Sequence, residues 1–262
     1  MILDEIAAKT KQRIEDEKSR LPLTELKKQA YDLEINNKFP FYDALSGKEL
    51  SFICEVKKAS PSKGVIAENF PYLEIAKDYE KSGADAVSVL TEPFWFKGSN
   101  EYVREISREI TIPVLRKDFT VDEYMIYEAK IIGASAILLI CAILSDSQLK
   151  EYTEIAHELG LSVLVEAHDE TEVNRAMNCG AKIIGVNNRD LRDFTVDINN
   201  SIRLRKLVPA EYVFVSESGI KTPQDVDALR KNGTNAVLIG ETLMRCEDKK
   251  AALDNLKYPP CL

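Results

Sequence analysis

From Phe52 onward the chain repeats one unit, a short apolar run followed by a segment with helical spacing. The apolar runs are Phe52–Lys57, Ala86–Thr91, Val114–Phe119, Ala136–Ile140, Ser162–Ala167, Ile183–Asn188, Tyr212–Ser216 and Ala236–Ile239. Helical patterns occupy Tyr72–Ser82, Glu101–Arg108, Asp122–Ile132, Asp146–Leu159, Glu170–Asn178, Asn200–Leu207, Pro223–Lys231 and Glu247–Asn255. The runs are apolar at consecutive positions, which marks strands buried on both faces, hence a parallel sheet covered by helices. Several helices end alike, in Ser82-Gly-Ala, Ile132-Gly-Ala, Cys179-Gly-Ala and Asn232-Gly-Thr. A glycine there takes the left-handed C-cap, and the small residue after it lets the chain turn into the next strand. Eight such units predict a closed (β/α)8 barrel, whose usual size of about 250 residues suits this chain. The alternative, an open doubly wound sheet, would want a Gly-rich dinucleotide fingerprint after its first strand, and none is present.

Before the barrel, Ile2–Arg20 places Ile2, Leu3, Ile6, Ala7 and Ile14 at helical spacing as one narrow apolar stripe. Pro22 ends that helix, Leu23–Ala30 allows a second, and Phe39–Leu45 reads as an aromatic-rich connector. The expected organisation is a single barrel domain over residues 1–262, with residues 1–48 as an N-terminal helical cap, of which Ile2 to Leu45 is expected to shape the mouth. The formal charge is −8, and the chain holds no basic run of the kind that binds nucleic acid or anionic lipid. Cations that meet an anionic substrate must therefore be gathered locally. Nothing at Met1–Glu5 resembles a signal peptide, and the longest apolar run, Ala136–Leu144, is far short of the ~20 residues that span a membrane. Five cysteines without CxxC spacing point to a reducing cytoplasm, four as small hydrophobes and Cys261 in a tail. His157 and His168 are too isolated to suggest a metal site.

Catalytic groups of such barrels come from the C-terminal ends of the strands. The first run continues as Glu55-Val-Lys-Lys-Ala-Ser-Pro-Ser-Lys-Gly64, and alternation puts Ile53, Glu55 and Lys57 on one face. An acid and a base on an apolar strand need pairing, as a structural ion pair or as a working one. Ser60 to Gly64 adds hydroxyls and a cation suited to an anion. The second loop carries Phe94, Trp95 and Phe96, either a packed loop or, the favoured reading, a lid or wall for a flat aromatic ligand. In the third run Lys117 shares a face with Leu115 and Phe119, where desolvation can lower its proton affinity and make it a usable general acid; on its own it reads equally as a snorkelling surface lysine. Leu138 of the fourth run supplies wall. Glu166 of the fifth, in phase with Leu164, suits a general base or a partner for a lysine. Asn187 and Arg189 are in phase at the sixth rim. Glycines directly after the seventh and eighth runs, Gly219 and Gly240, let backbone N–H groups approach a phosphate.

Taken together these stretches resemble the indole-3-glycerol-phosphate synthase family over essentially the whole chain. The signatures are Glu55–Gly64, Leu90-Thr-Glu92 with Phe96 and Gly98-Ser99, Leu115–Phe119, Leu164-Val-Glu166, Ile184–Leu191, Ser216–Ile220 and Leu238–Glu241. Another phosphate-binding barrel, such as a phosphoribosylanthranilate isomerase, would share the glycines but not the Lys, Lys, Glu and Asn set. The resemblance implies an anilino-deoxyribulose phosphate substrate with a ring carboxylate, loss of carbon dioxide and water, acid/base chemistry without a cofactor or metal, and a monomer in the cytoplasm. It implies Lys117 as the acid that protonates the ketone and Glu166 as acid/base partner for the anilino nitrogen and dehydration. Lys57, held by Glu55, orients the substrate carboxylate and is a second candidate acid. Asn187 would hold a substrate hydroxyl or the lysine. Ser60 and Arg189 contact anions, Phe96, Phe119 and Leu138 enclose the anthranilate ring, and Glu217, Ser218, Gly219, Leu238, Gly240 and Glu241 complete the binding site. A carboxylate at Glu241 would repel phosphate unless only its N–H faces inward.

Overall fold

The computed structural model describes residues 2–190 and 192–258. The tail position expected for Cys261, and Leu191 at the end of one signature, lie outside the described residues. Eight parallel strands form a closed barrel: β1 (Ser51–Val56), β2 (Ala86–Leu90), β3 (Val114–Lys117), β4 (Ala136–Ile140), β5 (Ser162–Ala167), β6 (Ile183–Asn187), β7 (Val213–Glu217) and β8 (Ala236–Ile239). Pairing runs in chain order, and β1 pairs with both β2 and β8, which closes the ring. The expected strands are all present, with ends moved by a residue or two; β3 stops at Lys117 and leaves Asp118 and Phe119 to the loop. Gly83, Gly133, Gly180 and Gly233, the helix-ending glycines, all have φ between 78° and 91°, as the left-handed cap requires.

Alternation sorts the strand residues into two cores. Ile53, Leu115, Leu138, Leu164, Val215 and Leu238 fill the barrel. Phe52, Cys54, Val87, Ile137, Val163 and Phe214 face the helices. Because the inward set holds Ile53, Leu115 and Leu164, its continuation toward the C-terminal rim carries Glu55, Lys117 and Glu166 inward as well.

The N-terminal segment divides between the two ends of the barrel. The helix Ile2–Arg20 lies at the C-terminal end, where Ile2, Leu3 and Ile6 line the cavity described below. It is held by Arg13 Nη2 to Asp118 Oδ2 at 3.0 Å and Lys18 Nζ to Asp122 Oδ2 at 2.7 Å, both acids following β3. The second helix, Leu23–Tyr31, packs on the helix Tyr124–Ile131, with Lys27 Nζ 2.8 Å from Glu123 Oε2. The aromatic connector expected at Phe39–Leu45 is instead a short helix, Pro40–Leu45, with proline in its first turn. Phe41 and Leu45 are fully buried in the core inside the barrel. The strand starts there present Ala86, Ala136 and Ala236, whose small side chains leave the room that Phe41 fills. Tyr42 N–H donates to Ser162 Oγ, and Ser51 Oγ–H donates to the Ala44 carbonyl, at the first residues of β5 and β1. This segment plugs the floor of the barrel and does not shape its mouth.

Two further elements lay outside the sequence-based expectation. A short antiparallel pair, Ala59–Ser60 with Gly64–Val65, shapes the loop after β1. A four-residue helix, Glu241–Met244, follows β8 directly, ahead of the last helix at Lys249–Lys257.

Candidate active site

The C-terminal strand ends open into a cavity of about 600 Å³, and sixteen of the residues singled out from the sequence line it. Barrel closure sets their heights. Leu90 pairs with Lys117, Ile140 with Glu166, and Asn187 with Glu217, so the polar groups of β3, β5, β6 and β7 stand at one rim.

Lys117 is the centre of the arrangement. Its Nζ lies 3.4 Å from Glu166 Oε2 and 3.4 Å from Glu217 Oε2, so one lysine is held between acids of two other strands. Burial alone would lower its proton affinity, as expected from the sequence. The charges of Glu217, Glu166 and Glu55 outweigh that burial and raise it above the ordinary lysine value. The expected lowering is therefore corrected: Lys117 is a firmly protonated ammonium. Glu166 is also buried, which alone would raise its pKa. Lys117, His168 and Asn187 lower it below the usual carboxylate range, and the acid rests ionised. Glu217 is the counter-case. Burial pushes it up to about 7, with Lys117 opposing and Glu166 and Glu55 adding repulsion. Neither Glu217 oxygen makes a well-formed hydrogen bond among the described residues. Two carboxylates flanking one lysine thus hold their protons with very different strength, Glu217 far more tightly than Glu166, the pattern by which environment separates an acid from a base.

Glu55 and Lys57 form a direct ion pair on the β1 side of the cavity. Gly240 packs against it so closely that a Cβ there would lie 2.3 Å from Glu55 Oε1 and 2.9 Å from Lys57 Nζ. Gly185 makes the same kind of room for Glu217, whose Oε1 would be 2.2 Å from a Cβ. Asn187 donates from Nδ2 to Glu166 Oε1 at 3.2 Å and accepts the Arg189 N–H at 3.0 Å. In this way it holds the glutamate.

Of the three aromatics after β2, Phe96 alone lines the cavity, its ring 5.9 Å from that of Phe119. Phe94 is exposed and sits beneath the Lys9 ammonium. Glu92 shapes this loop: its carboxylate accepts the N–H groups of Phe94, Trp95 and Phe96 at 2.9, 2.7 and 2.9 Å. Leu138 and Leu238 continue the apolar wall. At the far side, Ser218 and Gly219 are both left-handed, with φ of 66° and 82°. The Glu241 carboxylate is taken up by cations, Arg245 Nε at 3.2 Å and Lys63 Nζ at 3.8 Å. Its charge is therefore paired, which answers the repulsion expected there.

Four contributors carried no clear mark in the sequence. His168 contacts Glu166, with Nε2 3.4 Å from Oε1, although it read as an isolated histidine. Its spacing of two from Glu166 puts it on the same face, and that was the available signal. Phe194 and Val196 of the loop after β6 line the cavity without a pattern to mark them. Gly185 lies inside a strand, where its role depends on a neighbouring strand's glutamate.

Comparison with known proteins agrees with this geometry. The family model described as Indole-3-glycerol phosphate synthase matches residues 3–256. A protein of that name from Ruminiclostridium cellulolyticum is 58% identical over 257 residues, covering 98% of this chain and 99% of its own. Another from Endomicrobium trichonymphae is 54% identical over 257 residues, covering 98% and 100%. Among solved structures, 3-hexulose-6-phosphate synthase superposes with a TM-score of 0.65 at 17% identity, over 79% of this chain and 98% of that one. A thiamine phosphate pyrophosphorylase from Pyrococcus furiosus gives 0.61 at 17% identity, over 81% and 95%; both likenesses concern the barrel alone. The chain belongs to the indole-3-glycerol phosphate synthase family, decarboxylating lyases of tryptophan biosynthesis.

Proposed function

We propose that the rim of this barrel closes the indole ring of 1-(2-carboxyphenylamino)-1-deoxyribulose 5-phosphate with Lys117 as the acid and Glu166 as the acid/base partner. The observation that carries the assignment is the placement of the Lys117 ammonium between Glu166 and Glu217, beside an apolar wall. An ammonium there protonates the open-chain ketone as the electron-rich ring carbon attacks. Phe96, Phe119 and Leu138 surround the anthranilate ring, and a carboxylate moved out of water loses carbon dioxide more readily. Lys57, paired with Glu55, orients that carboxylate. Loss of carbon dioxide returns the electron pair of the broken carbon–carbon bond to the ring and restores its aromaticity; Glu166, steadied by Asn187, is the acid/base partner for the anilino nitrogen and takes the proton released in the later loss of water.

The phosphate is read at the N–H groups around Gly219 and Gly240, with Ser60 and Arg189 as anion contacts. Lys63 and Arg245, already paired with Glu241, lie on the cavity wall nearby. The cavity is built from this chain's own elements, which supports action as a monomer. The free thiols at Cys54, Cys141, Cys179 and Cys246 support a reducing, cytoplasmic setting.

The test is ultraviolet absorbance of indole formation after mixing the protein with the anilino-deoxyribulose phosphate. Positioned acid–base groups contribute ~10²–10⁴-fold to rate, so Lys117→Met and Glu166→Gln should each lower kcat by about that factor with modest change in KM. A Lys117→Met protein that turns over within a few-fold of the parent would move the acid role to Lys57.

A further inference from the structure

His168 is a charged-group contact that the reaction scheme leaves unused. Its Nε2 is buried and faces Glu166 Oε1 at 3.4 Å, while Nδ1 meets Glu172 Oε2 at 3.0 Å. The same Glu172 oxygen accepts the His168 backbone N–H at 2.8 Å, and Asn200 Nδ2 donates to the His168 carbonyl at 3.1 Å. Ring and backbone are thus fixed together. Glu172 lies in the first turn of the helix Glu170–Asn178, where the aligned peptide dipoles favour an anion. His168 does not line the cavity, so its route to the substrate runs through Glu166.

We propose that His168 is a positioning residue for this reaction, an imidazolium clamped between two carboxylates that keeps Glu166 ionised and aimed at Lys117. The inference rests on the reading of Glu166 as the acid/base partner. Nε2 makes no well-formed hydrogen bond among the described residues, but its approach to Glu166 at 3.4 Å, with Nδ1 at 3.0 Å from Glu172, favours a proton on both ring nitrogens. A neutral imidazole has one donor and one acceptor, so one of the two carboxylates would face a lone pair in a buried place. Burial opposes the charge, but the contacts with Glu166 and Glu172 push the His168 pKa up to about 10. The other charged groups nearby leave that balance intact. Asp190, after β6, feels the same cation as an attraction, and Arg175 and the Cys141 thiol face Glu172 from the next helix turn and from the end of β4.

The consequence is an order of events. Between two cations, Lys117 and His168, Glu166 is a weak base. When Lys117 passes its proton to the ketone oxygen, one cation is neutralised and the proton affinity of Glu166 rises. Glu166 therefore becomes a competent acceptor only after ring closure has begun, and His168 remains the constant charge behind it.

His157 and His168 are the two histidines of the chain, so ¹⁵N NMR of the imidazole rings reads each directly in substrate-free protein. The expected result is a His168 ring doubly protonated through pH 8, with Glu166→Gln and Glu172→Gln each lowering its titration midpoint by a unit or more. His168→Gln keeps a hydrogen-bond donor without the charge. Its kcat/KM profile should show the acid limb moved up by about one to three pH units, with KM at the optimum within a few-fold of the parent. A merely structural histidine would leave that limb in place. A His168 ring that titrates near its ordinary 6.5 in the parent overturns the proposal, even where His168→Gln fails to fold. An unmoved acid limb in His168→Gln overturns it as well. Near-parent turnover by Glu166→Gln would remove the acid/base reading and the positioning role with it. The NMR titration, made without substrate, separates that failure from an error in the charge of His168.

Discussion

Gly240 packs against the Glu55–Lys57 pair and is proposed to offer its N–H to the phosphate, and replacing it with alanine separates the two roles. Alanine keeps the backbone N–H offered to the phosphate, and the backbone at φ −114° and ψ −76° accepts an L side chain. The added methyl carbon, however, would sit 2.3 Å from Glu55 Oε1, where ordinary contact begins at 3.4 Å. The carboxylate must retreat by about 1 Å, and Lys57 Nζ, 2.9 Å from the same carbon, must move with it. A displacement of that size at a positioned group costs on the order of 10²-fold in rate. Gly240→Ala should therefore lower kcat by about that factor while KM stays within a few-fold. The assay is steady-state indole formation, with inorganic phosphate as a competitive inhibitor to report on the anion site alone. Gly219→Ala is the comparison. Its methyl would meet Val196 Cγ1 at 2.4 Å and take a φ of 82°, far from the Glu55–Lys57 pair, so binding and stability should suffer more than kcat. A Gly240→Ala enzyme with unchanged kcat and a phosphate inhibition constant weakened more than tenfold would refute the reasoning and leave Gly240 a phosphate residue only.

Other changes test the rest of the site. Glu217 has a folded pKa raised from an ordinary 4.5 to about 7, so the folded state holds this proton more tightly and Glu217 weakens the fold as pH rises across that window. Glu217→Gln should then stabilise the protein by up to about 3 kcal/mol at pH 8 and by little near pH 4, read from urea unfolding; equal gains at both pH values would contradict the assignment. Removing residues 2–20 takes Ile2, Leu3 and Ile6 from the cavity wall and Arg13 from Asp118, so activity should fall and KM rise. Full activity in that protein would show the helix to be dispensable. Phe41→Ala, at the opposite end of the barrel, should cost about 3–5 kcal/mol of stability while kcat below the unfolding transition stays near the parent value; a large kcat loss would show that the plug reaches the site.

Strand parity was legible because it is a local property. Ile53, Leu115 and Leu164 mark an inward face, and Glu55, Lys117 and Glu166 follow at two-residue intervals, so their convergence on one cavity could be read before any coordinates. The helix-ending glycines were legible for the same reason, since the left-handed cap is set within one turn. What could not be read were effects between strands distant in the chain. Phe39–Leu45 gave no sign that its aromatics fill the floor, because the space comes from Ala86, Ala136 and Ala236 on three separate strands.

The proton affinity of Lys117 shows the same boundary in the chemistry. Its own strand, Val114–Lys117, predicts a desolvated lysine with a lowered pKa, and desolvation is indeed present. The sign reverses because the register Ile140 to Glu166 and Asn187 to Glu217 brings acids from two other strands to the same height. A lysine so held cannot owe its acidity to weak proton binding at rest. Its proton must leave when the reacting oxygen gathers negative charge and competes with Glu166 and Glu217 for the ammonium. Under the role proposed for Lys117, acid catalysis is therefore tied to the transition state and not to the resting enzyme, which is where stabilisation raises kcat.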